Sequence, residues 1–150
     1  GICSAINTLA AELPTVQFFW PVHPNPQVQQ ALQASLRPQP NVHLLSPLAY
    51  PEFVWLMDRT DLIISDSGGI QEEAPSLGKP VLVLRDFTER PEAVECGCAE
   101  VVGTDPATIV ERATFLLDAA GRQAKSQNMQ NPFGDGQAAQ RIARLVAERF

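Results

Sequence analysis

The sequence has little with which to hold a metal ion. It carries two histidines and three cysteines among 150 residues, and Cys3, Cys96 and Cys98 stand in no spacing that a metal site uses. The odd cysteine count gives no disulfide framework either, so the expected setting is a reducing cytosol. Basic charge is also short. Eleven lysines and arginines face seventeen aspartates and glutamates, a net charge of −6, whereas a nucleic-acid module normally shows a basic patch. No apolar run approaches the roughly 20 residues needed to cross a bilayer, and the first residues lack a signal-peptide pattern. Internal repeats and low-complexity tracts are missing too. What remains is an ordinary globular composition, 45% hydrophobic and 19% charged, long enough for one domain with its own core.

What the chain does have is alternation. Helical spacing of Ile2, Ala5, Ile6 and Leu9 predicts a helix over residues 2–12. Further helices are expected at 27–36, 50–58, 70–77, 91–95, 106–117 and 136–148, with a polar stretch before the last. Strands are expected at 16–22, 42–45, 62–64, 80–84 and 100–102. Most of the 13 prolines fall at the ends of these elements. Near-continuous apolar strands between helices predict an α/β fold, a parallel sheet with helices on both faces. The chain opens at Gly1 without an initiator methionine, as expected of a piece of a longer polypeptide.

Three strands run directly into polar residues: 16–22 into His23, 62–64 into Asp66 and Ser67, and 80–84 into Arg85, Asp86, Thr88, Glu89 and Arg90. Ligands of open α/β sheets bind beyond the carboxyl ends of the strands, so the convergence on one rim marks a site. Its centre is the turn Asp66, Ser67, Gly68, Gly69. Free N–H groups there suit a phosphate, the dipole of the following helix favours an anion, and glycine lets the backbone come close. The competing reading is a helix N-cap on a tight turn. The turn is neither a complete G-x-G-x-x-G nor a Walker A loop.

The neighbouring residues each carry two readings. Glu72 and Glu73 lie too far along the helix for the phosphate cradle; they complement the helix dipole or grip sugar hydroxyls. Arg85 and Arg90 are surface ion-pair partners or anion ligands with a planar fork, and Arg90 is the better placed. His23 is a turn histidine bonded to backbone or a ligand contact on the rim. His43, inside a strand, is structural. Residues 131–136 form a loop that ends in an N-cap at Asp135. The helix after it puts Ala139, Ile142, Leu145 and Val146 on one face, which packs on the sheet or on a neighbouring domain.

The blocks PVHPNP (residues 21–26), Ser46 to Tyr50 with Phe53, DSGGIQEEAPSLGKPVLVLRD (66–86), TERPEAVE (88–95), VGTD (102–105) and NPFGDGQAAQRI (131–142) resemble the non-hydrolysing UDP-N-acetylglucosamine 2-epimerases, in that family's order and over nearly the whole chain. The resemblance implies a Rossmann-like domain forming one half of a GT-B arrangement, with the active site in the cleft between the halves. It implies interconversion of UDP-N-acetylglucosamine and UDP-N-acetylmannosamine by elimination of UDP to a glycal and re-addition with inversion at C2, without metal or nicotinamide cofactor. By motif, Ser67, Gly68 and Gly69 would hold the diphosphate, Glu73 the ribose hydroxyls, Arg90 the phosphate or sugar, and Phe53 the uracil. His23 resembles the histidine of an activating UDP-sugar site.

The same resemblance places the catalytic acids in an N-terminal domain outside this chain. That leaves no catalytic residue among the 150 and makes residues 1–150 a single UDP-binding domain, the C-terminal part of a two-domain enzyme. It also implies that the first strand of this domain precedes Gly1, so the strands at 16–22 and 62–64 lack the neighbour between them. The implied partners are a UDP-sugar, the N-terminal domain of the same protein and, through that domain, a second copy; neither nucleic acid nor membrane is expected. Two alternatives stand beside this reading: the donor domain of a GT-B glycosyltransferase, and a non-catalytic UDP-sugar sensor.

Overall fold

A computed structural model describes residues 1–118 and 131–149; the polar stretch expected before the last helix falls mostly outside them. In chain order the elements are α1 (Ile2–Glu12), β1 (Phe18–Pro21), α2 (Pro26–Ser35), β2 (Val42–Leu45), α3 (Tyr50–Asp58), β3 (Ile63–Ser65) and α4 (Gly68–Glu73). There follow a 3-10 turn (Ala74–Leu77), β4 (Val81–Val83), α5 (Pro91–Glu95), β5 (Ala99–Val101), α6 (Pro106–Leu117) and α7 (Ala138–Arg149). Prolines open α2, α5 and α6, where a missing N–H costs nothing and the fixed φ suits the helix.

All strand pairs are parallel. β1 lies against β2, Phe18 opposite Val42 and Pro21 opposite Leu45. A second sheet runs β3-β4-β5, with Ile63 opposite Val81 and Val81 opposite Ala99. Among the described residues no strand joins β1 to β3, the break expected from the sequence.

Both halves nevertheless share their covering layers. On one face Phe18 and Trp20 of β1, Val42 of β2, Ile64 of β3 and Leu82 of β4 pack with Ala5, Ile6 and Leu9 of α1 and Ile109, Ala113 and Leu116 of α6. On the other, α3 packs Phe53, Val54 and Met57 into the cluster holding Ile63, Val81 and Val83. The same helix also turns Trp55 and Leu56 toward Phe19 and Leu45 across an apolar cavity of about 490 Å³. Two sheets sharing helices on both faces are two parts of one layer, with no ladder joining them among the described residues. Burial on both sides explains why β4 reads as an unbroken apolar run.

Asn41, buried at 4% exposure, closes the entry to β2 by donating to the carbonyls of Ala10, Leu13 and Val16. At α6, Asp105 is the N-cap and accepts from the Thr108 N–H and hydroxyl, both at 2.9 Å. These bonds, the backbone one first, hold its carboxyl below the usual carboxylate range. A carboxyl depressed on folding stabilises the protein above its unfolded value and loses that contribution as pH falls through its folded value. Asp105→Ala is therefore expected to lower the melting temperature at neutral pH, and the gap from wild type should narrow in acid. Thermal melts at neutral and acid pH check this; a gap that persists in acid would assign the effect to packing.

The apolar face of α7 is not on the sheet. Ile142, Leu145 and Val146 are 53–61% exposed, and no residue of the helix is buried. Of the two placements expected for this face, packing on the sheet is excluded by this arrangement. The helix begins at Ala138, so Asp135 is not its N-cap as expected but lies in the turn before it, accepting from the Gln137 N–H at 3.1 Å; its pairing with Arg141 leads the causes that lower its pKa.

Candidate functional site

β3 delivers the chain through Asp66 and Ser67 straight into α4. Helix geometry begins at Gly68, two residues earlier than the sequence pattern predicts, so both glycines sit in the first turn of the helix rather than in a loop. Ser67 occupies the N-cap position in extended backbone, yet its side chain makes no cap hydrogen bond. Its own N–H is taken by Ser65 Oγ at 3.1 Å. The first-turn N–H groups, which have no partner inside any helix, are thus not met by a capping side chain, and the simple N-cap reading fails.

Nothing among the described residues requires glycine at 68 or 69. Left-handed φ values occur at Gly78, Gly97, Gly103, Gly134 and Gly136 and at neither of these two. A Cβ on Gly68 would meet no atom within 4 Å, and one on Gly69 would meet only Ser67 Oγ at 3.8 Å. Glycine in a helix costs stability relative to alanine. In return it leaves a bare backbone face open to a close-approaching group.

The three residues that follow each take a different partner. Gln71, 1% exposed, donates through Nε2 to the Ser67 carbonyl at 3.3 Å and accepts the Thr88 hydroxyl through Oε1. Glu72 pairs with Arg90 Nε; that hydrogen bond, then the carboxylate charge, raises the arginine pKa above its ordinary value. Glu73 lies by Tyr50 at the start of α3, and its negative charge pushes the Tyr50 hydroxyl pKa up. The α4 turn is thereby joined to both flanking segments, α3 and the β4–α5 loop.

Each expected site residue can now be placed. Arg90 is held by Glu72 and by the Glu89 carbonyl, at 3.1 Å through Nη1, while its Nη2 has no hydrogen bond among the described residues. Arg85 turns inward instead, its Nε donating to the Asp66 carbonyl at 2.5 Å, and so ties the end of β4 to the turn. Phe53 is half-buried against the core between α3 and the second sheet, on the same helix as Tyr50. His23 stands in the turn after β1, where Nδ1 accepts the Asn25 N–H at 3.2 Å, and no hydrogen bond or ring contact joins it to the α4 cluster. His43 stacks on Phe19 with ring centroids 5.0 Å apart. No group of three or more histidine, cysteine, aspartate or glutamate side chains among the described residues is arranged to hold a metal ion.

Gln71 was not singled out by the sequence reading, and Tyr50 and Thr88 were named there without a role of their own. Gln71 had a legible signal, since it lies four residues after Ser67 and therefore above it on the same helical face. Tyr50 and Thr88 meet α4 only through tertiary structure.

A family model described as UDP-N-acetylglucosamine 2-epimerase matches residues 1–147. The chain belongs to that epimerase family. It is 48% identical over 149 residues to a probable UDP-N-acetylglucosamine 2-epimerase of Ralstonia solanacearum, covering 99% of this chain and 40% of that protein. To the UDP-N-acetylglucosamine 2-epimerase of Escherichia coli K12 it is 50% identical over 141 residues, 94% of this chain and 38% of that one. The crystal structure of the epimerase from Neisseria meningitidis bound to UDP-GlcNAc superposes with a TM-score of 0.88 at 47% identity, over 99% of this chain and 40% of that structure. The epimerase-family chain described here thus spans about 40% of the length of the relatives it matches.

Proposed function

We propose that residues 1–150 are the UDP-binding, C-terminal part of an enzyme that interconverts UDP-N-acetylglucosamine and UDP-N-acetylmannosamine. The observation that carries this is the bare, uncapped first turn of α4, whose two glycines serve neither backbone twist nor internal packing. In this reading the Ser67 hydroxyl and the N–H groups of Gly68 and Gly69 receive the diphosphate, with Arg90 presenting Nη2, which no hydrogen bond among the described residues occupies. Glu73 receives the ribose hydroxyls, and α3, through Phe53, supports the uracil. His23, away from this cluster, is left for a separate UDP-sugar contact. The edges of β1 and β3, unpaired to each other, take a strand of the same polypeptide from its N-terminal part.

Elimination of UDP from C1 leaves negative charge on the departing β-phosphate. Donors fixed around that phosphate bind the leaving group more tightly as its charge grows, which lowers the barrier to breaking the C1–O bond. The proton removed from C2, and returned to its opposite face, is handled by groups of the N-terminal part. This domain holds the leaving group in place for re-addition.

The test is calorimetric titration of UDP into the full-length protein. Wild type is expected to bind UDP, and Glu73→Ala to bind it about 1–3 kcal/mol more weakly, the cost of leaving ribose hydroxyls without their acceptor. Unchanged UDP affinity in the variant would take Glu73 out of the site.

A further inference from the structure

The two phosphate-facing elements proposed above come from different places in the sequence. The turn follows β3; Arg90 follows β4. What links them is a directional chain of hydrogen bonds through one buried side chain. The Arg90 N–H donates to Thr88 Oγ at 3.0 Å, the Thr88 hydroxyl donates to Gln71 Oε1, and Gln71 Nε2 donates to the carbonyl of Ser67 at 3.3 Å. Each group in the chain is used once in the sense its chemistry allows. At 1% exposure Gln71 has little access to water, so a broken link leaves a buried polar group unpaired and costly. The Glu72–Arg90 pair fixes the arginine side chain, but both partners are more than a third exposed. The buried relay is therefore the stiffer connection.

We propose that Gln71 is a positioning residue that sets the Ser67 turn and the Arg90 loop at the separation one diphosphate requires. This rests on the reading of these two elements as the diphosphate site. Gln71 itself touches no phosphate. Its amide spans the space between the turn and the loop, and no other side chain of α4 reaches both. Methionine at this position would keep the volume and lose both bonds. Glutamate would keep the bond from Thr88 but set a carboxylate oxygen against the Ser67 carbonyl.

The test compares uridine, UMP and UDP binding in the full-length protein for wild type, Gln71→Met, Gln71→Glu and Thr88→Val. Thr88→Val breaks the same relay at its other side and serves if neither Gln71 variant folds. The expected result is a loss of about tenfold in UDP affinity, with uridine affinity unchanged, in each variant. The double variant Gln71→Met with Thr88→Val should lose no more than either single change, as members of one network do. Equal losses for uridine and UDP, or additive losses in the double variant, would overturn the role of Gln71 and leave the diphosphate site standing. A wild type that binds uridine as tightly as UDP would overturn the diphosphate site itself, and this role with it.

Discussion

The 150-residue chain, incubated alone with UDP-N-acetylglucosamine, is expected to return it unchanged. Epimerisation at C2 removes a proton from one face of the sugar and delivers one to the other, so it needs two acid–base groups within hydrogen-bond reach of that carbon. The two carboxylates on α4 have other partners. Glu72 is bonded to Arg90 and Glu73 lies by Tyr50. The layer that carries them is also interrupted, with β1 and β3 unpaired to each other. Monitoring the anomeric and C2 proton signals by NMR, with exchange into deuterated water, reads both epimer and C2–H exchange. The same 150 residues within the full-length protein should give both signals. Turnover by the chain alone would move the chemistry into it, to Asp66 or Glu73, and would sink the division of labour proposed here.

Most of the fold was legible because local and tertiary demands agree. The run at Val81, Leu82 and Val83 is apolar at every position because both of its faces are covered, and helices α2, α5 and α6 begin at prolines. Two limits were physical. The start of α4 was misplaced because Gly68 and Gly69 carry low helix propensity, and the pattern gave no sign that they would stand inside a helical turn. The placement of α7 could not be chosen, since an amphipathic face announces that it packs but not against what. The site shows the same split. Ser67, Gly68, Gly69 and Arg90 could be named as candidates because strand ends and glycine pairs are sequence features. The link between Gln71 and Thr88 was missed because their bond spans 17 residues and leaves no periodic trace. His23 shows the bond to backbone that its plainer reading expected.

Replacing both glycines by alanine is expected to separate stability from binding. In the chain as it folds, Gly68 and Gly69 have ordinary helical backbone and open space where a Cβ would stand. Alanine there meets no clash and reduces the conformational freedom of the unfolded chain, so Gly68→Ala with Gly69→Ala should raise stability by about 0.5–1 kcal/mol per site. UDP binding should move the other way. Two methyl groups would cover the first-turn N–H groups and hold a phosphate off the backbone, away from both the donors and the helix dipole. A loss of more than about a hundredfold in UDP affinity, over 2.7 kcal/mol, is expected, with uridine affinity little changed. Denaturant melts and calorimetry on the same samples give both quantities. A variant both stabler and still able to bind UDP would show that the open face serves something other than phosphate. One both weaker in binding and less stable would show that the glycines are needed by the fold after all. Only opposite signs support the reading that these residues are held as glycine, against the preference of the helix they start, for a ligand that must touch the backbone.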